Sequence, residues 1–205
     1  MRIAGYLCLL CAVAGLTAYF LGPSDRMPEY PRLDLSERTL PAQLSTWLAC
    51  LCALAFAVSL PNVGRTLRRV LGSGPSAIGP AVFFAIWAIA RFASSFADPY
   101  RELSLTATTL LPLAVATLWA GRVVSRAHAL LSPVSAVTSL LLLAGFASRF
   151  FSLQSLPGPS GETIWGDPSP FAPGGVVYLL ALGAACLWFI ATGAVLLARA
   201  RTYRA

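Results

Sequence analysis

The sequence predicts an all-α integral membrane protein: six transmembrane helices, both termini on the cytoplasmic side, short loops between them. Three observations carry that expectation. Of 205 residues, 57% are hydrophobic and 11% charged, with mean hydropathy +0.72, more apolar surface than a soluble domain of this length buries. Six apolar runs long enough to cross a bilayer follow one another with no separate polar domain, so residues 1–205 read as one six-helix domain. The charges between the runs sort by sign onto alternate sides.

The first run, residues 3–21, is closed by Gly22-Pro23. Arg2, the apolar stretch and Ala12-Val13-Ala14 together resemble a secretory signal with its cleavage site. The apolar run nevertheless continues unbroken to Leu21, as in a retained helix. Residues 22–43 are polar. The second run, 41–60, starts at Pro41, a residue suited to a first helical turn, and is expected to end at Pro61, ahead of Arg65, Arg68, Arg69 and the loop Gly72-Ser73-Gly74-Pro75. The third, 80–97, stops at Asp98-Pro99, and the fourth, 103–121, carries Pro112 deep inside it. After Arg122, Arg126 and His128, Ser132-Pro133 reads as the N-cap and first residue of the fifth run, 133–153. A Gly/Pro/Ser-rich segment, 154–175, contains Trp165 and Phe171 and no basic residue. The sixth run, 175–198, leads to Arg199, Arg201 and Arg204.

With the N-terminus inside, the cytoplasmic segments hold Arg2, Arg65, Arg68, Arg69, Arg122, Arg126, Arg199, Arg201 and Arg204 and no acid. Asp25, Glu29, Asp34, Glu37, Asp98, Glu102, Glu162 and Asp167 all fall outside. That is the positive-inside arrangement, and with no organelle-targeting segment it points to a bacterial plasma (inner) membrane. The net charge of +7 is placed to meet anionic lipid headgroups at the cytoplasmic face, not nucleic acid.

Two runs contain an arginine. A charge at the bilayer centre costs about 3 kcal/mol on insertion scales, so Arg91 and Arg149 mark either function or snorkelling. Ser94, Ser95 and Asp98 follow Arg91 at i+3, i+4 and i+7 and share its helix face. Pro112 frees the carbonyl of Thr108 at a similar depth, with Thr106 and Thr109 beside it. Arg91, Ser94, Ser95, Asp98, Thr108 and Arg149 therefore form the candidate ligand site, a polar pocket open to the outside; pairing of the arginines with Asp98 or Glu102 is the structural alternative. The strings Arg91-Phe-Ala-Ser94 and Arg149-Phe-Phe-Ser152 match, as a duplicated two-helix unit or by composition alone.

No catalytic constellation is assembled in the sequence. His128 is the only histidine, no acid lies within a run, and Cys8-x-x-Cys11, Cys50 and Cys52 sit inside apolar segments where cysteine acts as a small packing residue. No metal and no cofactor is expected. Small residues in the first and last runs (Ala14, Ala18, Gly183, Gly193) permit close helix contact, internal or with a partner. Two non-enzymatic functions follow: a subunit or scaffold packing against partner membrane proteins, or a small solute- or lipid-binding transport component with its pocket around Arg91. An outer-face enzyme using Glu162 or Asp167 is a third, more distant option. The topology has a direct test. In a cysteine-free background, single cysteines at Ser36 and Ser160 are expected to react with an impermeant thiol reagent in intact cells, and those at Ser73 and Ser125 to resist it; labelling at Ser125 without Ser160 contradicts the six-span arrangement.

Overall fold

The computed structural model describes residues 1–20, 40–71, 76–96, 99–152, 156–157, 163–164 and 173–202; at residues 19, 71, 99–106, 149–152, 156–157, 163–164 and 173–175 it describes the backbone alone. Among these residues the chain forms six helices, α1 (Arg2–Phe20), α2 (Leu40–Leu71), α3 (Ile78–Ser94), α4 (Pro99–Val124), α5 (Leu131–Ser152) and α6 (Pro173–Thr202). Between α5 and α6 a two-residue antiparallel ladder pairs β1 (Leu156–Pro157) with β2 (Thr163–Ile164). By length and composition α2, α4, α5 and α6 contain stretches able to cross a membrane, while α1 and α3 contribute shorter apolar stretches.

Each helix packs against its neighbours in chain order, and α1 also packs against α6, so the six close into a ring. Adjacent helices run antiparallel: Gly64 meets Ala77, Gly121 meets Ser135, Gly145 meets Ala181 and Gly5 meets Gly193. One end of the bundle therefore gathers the start of α1, the end of α2, the start of α3, the end of α4, the start of α5 and the end of α6. It carries Arg2, Arg65, Arg68, Arg69, Arg122, Arg126, Arg199 and Arg201. We call it the arginine-rich end.

Packed helices stand about 9 Å apart, so opposite members of a six-helix ring are separated by about twice that and cannot touch directly. The centre is filled by four rings from three helices: Phe56 of α2, Phe84 of α3, and Trp188 and Phe189 of α6. Phe84 stands 5.4 Å from Phe56, 5.7 Å from Trp188 and 5.8 Å from Phe189, and all four rings are buried. The seam between α1 and α6 is the opposite case, since a Cβ on Gly193 would come 2.8 Å from the carbonyl oxygen of Gly5 and one on Gly5 would come 2.7 Å from Cγ of Leu197.

Hydroxyls inside the apolar interior mostly bond to helix carbonyls. Thr117 donates to Leu113 and Ala114, and Ser135 to Leu131. Bonds that cross between segments include Ser139 Oγ to the Ala114 carbonyl (2.9 Å), Trp188 Nε1 to Ser135 Oγ (2.6 Å), and Arg199 Nε to the Ala127 carbonyl (2.8 Å). Thr192 on α6 is fully buried, and its hydroxyl has no partner among the described residues. The five cysteines are free thiols, four of them buried, with Cys11 Sγ donating to the Ala49 carbonyl at 3.5 Å.

Several helix ends depart from the sequence expectation, two of them at the arginine-rich end with a clear cause. α2 continues through Pro61 to Leu71, because Leu60, Val63 and Leu67 keep one apolar face at i, i+3 and i+7, all buried, and Arg68 and Arg69 complement the negative end of the dipole. α5 begins at Leu131, ahead of Ser132-Pro133, with the Leu131 N–H bonded to the His128 carbonyl. Three stability outcomes follow, each measurable by denaturant unfolding in micelles. Phe84→Ala should cost about 3–5 kcal/mol through the central cavity it opens. Gly5→Val should cost about 1–3 kcal/mol by forcing α1 off α6. Thr192→Val should stabilise by about 1 kcal/mol, since it replaces an unbonded buried hydroxyl with a methyl.

Candidate functional site

Helix α3 presents one stripe to the bundle interior, with Pro80, Phe84, Ala88 and Ser94 buried along it. Arg91 follows Phe84 by seven positions and lies on that stripe, about 10 Å along the helix from the central rings and away from the arginine-rich end. The opposite face, with Ile78, Val82, Ile86 and Ile89, is exposed. Arg91 therefore faces into the bundle and is only partly exposed.

The end of α3 is built by its serines. Ser94 Oγ donates to the Arg91 carbonyl at 2.8 Å and accepts from Arg91 Nη1 at 3.1 Å, and Ser94 is 2% exposed. Ser95 Oγ donates to the Phe92 carbonyl at 2.6 Å, and the Ser95 and Phe96 N–H groups bond three residues back. These i−3 bonds close the helix at Ser94, where the sequence suggested Ala97, so Arg91 lies in the last turn, next to the negative end of the helix dipole. α5 ends at Ser152 of the matching Arg-Phe-Phe-Ser string, which places Arg149 the same distance from a helix end. The repeated string coincides with a helix terminus in both places.

Helix α2 holds this corner from the side. Trp47 Nε1 donates to Ser95 Oγ at 2.9 Å, and the Trp47 ring lies 5.9 Å from Phe92 and 5.5 Å from Phe96. Cys50, one turn further along α2, is within electrostatic reach of the Arg91 guanidinium. Nothing in the sequence singled out Trp47; its distance from Ser95 along the chain hides a contact that only the α2–α3 pairing creates.

On the other side, the packing of Gly79 and Phe83 against Trp119 sets the α3–α4 register and brings Arg91 level with residues 107–111. Of the two threonines there, Thr109 is buried at 4% exposure, whereas Thr108 shares the exposed stripe of Leu111 and Leu118. Thr109, not Thr108, is thus the hydroxyl on the interior side of α4. Arg149 lies seven positions after buried Leu142 on α5; its side chain is outside the described residues, as are Asp98, the Glu102 side chain, and Trp165 and Phe171 of the connection to α6. Glu162 and Asp167 lie outside them too. Among the described residues no three His, Cys, Asp or Glu side chains are placed to hold a metal ion.

Chemically, the corner offers a guanidinium, which can grip a carboxylate or phosphate through two parallel N–H bonds, beside serine hydroxyls. No family model matches the chain, and no curated protein or solved structure shows significant similarity to it.

The Trp47–Ser95 bond can be isolated. Trp47→Phe and Ser95→Ala should each lower stability by about 1 kcal/mol, and the double variant should lose less than the two effects added together. Full additivity in micelle unfolding would show that the bond contributes nothing.

Proposed function

We propose that this chain is a non-enzymatic membrane protein of six spans, both termini cytoplasmic, that binds a small anionic or hydrogen-bonding solute, or a lipid group of that chemistry, at Arg91 from the outer side of a bacterial plasma membrane. The observation that carries the proposal is the position of Arg91. It stands on the inward stripe of α3, bonded to a buried serine, beyond the aromatic rings that fill the centre of the bundle. An arginine that served only to end a helix would lie as well on the exposed face, free to reach water along its own stem.

The span assignment is supported by lengths. Trp47 and Arg65 lie eighteen positions apart on α2, about 27 Å of helix, close to the roughly 30 Å thickness of a hydrocarbon core. Tryptophan at one boundary and arginines at the other are the usual interfacial anchors. The alternative role is a subunit or scaffold for partner membrane proteins, for which small residues on α1 and α6 would serve only if they lay on an outer face. Of these, Ala14 and Gly193 are taken up by packing within the bundle, whereas Ala18 is partly exposed and a Cβ on Gly183 would meet nothing within 4 Å.

The full-length protein in micelles should be stabilised against heat by at least one of a set of small anions such as inorganic phosphate, acetate and succinate. Arg91→Leu should abolish the shift, and Arg91→Lys should restore it only partly, because a lysine lacks the bidentate fork. An equal shift in wild type and Arg91→Leu would place the binding elsewhere and refute this role.

A further inference from the structure

A second polar site lies at the arginine-rich end. A cleft between α2 and α3 is lined by Pro61, Gly64, Arg65, Arg68, Ser76 and Ile78, with Ala77 at its floor. Its shape follows from one close approach: a Cβ on Gly64 would stand 2.6 Å from Cβ of Ala77, so the helices touch there. Beyond the contact α2 continues as a regular helix to Leu71, and this extension holds Arg65 and Arg68 three positions apart along one wall. The other wall is the first turn of α3, the positive end of a 17-residue helix. Ser76 Oγ accepts from the Ile78 N–H at 3.3 Å, which leaves its own proton free to donate.

The electrostatics are one-sided. Both guanidiniums are exposed and make no ion pair or hydrogen bond among the described residues. The chain between Thr39 and Ala97 contains no acid at all. Two uncompensated arginines, a hydroxyl donor and a helix N-terminus converging on one cleft form a receptor for a tetrahedral oxyanion.

We propose that this cleft binds a phosphate group, either the phosphodiester of an anionic phospholipid at the membrane surface or a free phosphate from the aqueous side. The site is independent of the Arg91 role, which lies at the other end of the bundle.

The full-length protein, in nanodiscs of mixed phosphatidylglycerol and phosphatidylcholine, is released into the gas phase and its retained lipids are counted by native mass spectrometry. A parallel arm in lipid-free micelles titrates inorganic phosphate by calorimetry. Arg65→Gln with Arg68→Gln should lower the retained phosphatidylglycerol, or the phosphate affinity, by roughly thirtyfold. Arg122→Gln with Arg126→Gln, the same charge change elsewhere on this end, should lower it little. Ile78→Asp is the second probe: it adds an acid at the cleft mouth, where the α3 dipole favours one, so folding is retained while phosphate is repelled. Preferential phosphatidylglycerol with no phosphate isotherm identifies the lipid as the source, and a phosphate isotherm without lipid preference identifies the free anion. Equal losses in the two double variants, unchanged binding in Ile78→Asp, or no binding in either arm overturns the proposal.

Discussion

Filling the centre of a closed ring is the constraint on which this architecture rests. Helices pair through small side chains, but six of them in a circuit leave a middle that no backbone reaches. Phe56, Phe84, Trp188 and Phe189 occupy it, and every other contact can stay small because these four are large. The division is visible along α6. Trp188 and Phe189 turn to the middle, and a few positions on Gly193 lets α1 approach to backbone contact. In a lipid environment, where burying an apolar side chain brings no gain over contact with acyl tails, close fit supplies the attraction that water supplies elsewhere.

The aromatic layer also separates two kinds of polar chemistry. On one side stands Arg91, held by Ser94 in the last turn of α3. On the other, arginines crowd the helix ends, and Arg199 reaches the Ala127 carbonyl to fasten α6 to the α4–α5 turn. Between them the interior hydroxyls are mostly turned back on helix carbonyls, so the middle third of the bundle offers few free donors. The aromatic rings lie between the Arg91 corner and the arginine-rich end.

Much of this was legible in the sequence. Apolar run length gave the helices, and the rarity of charge within them picked out Arg91 and Arg149. The α3 interior stripe could be followed from Phe84 to Arg91 by counting. Three features could not. Pro61 reads as a stop, yet the buried triplet Leu60, Val63 and Leu67 outweighs one lost hydrogen bond and carries α2 ten residues further. Thr108 and Thr109 look equivalent in the chain, and only the facing of α4 separates them. The four central aromatics come from three helices scattered over more than 130 positions, so their meeting depends on ring closure, a property of the whole chain. The side-chain pairing that would complete the Arg91 corner, through Asp98 or Glu102, falls among residues not described.

The α1–α6 seam has a consequence for biosynthesis. It joins α1 to α6, the two described helices farthest apart along the chain, so it cannot form until α6 has been made. Until α6 is inserted, the flank of α1 that will receive it faces lipid. That flank includes Gly5, Cys8, Leu9 and Gly15, uncharged throughout, with no side chain that acyl chains would penalise. A polar zipper there would make a tighter seam in the finished protein but would leave a nascent chain with unsatisfied donors for the whole of its elongation. The plain surface of α1 is what lets the ring stay open until its last member arrives.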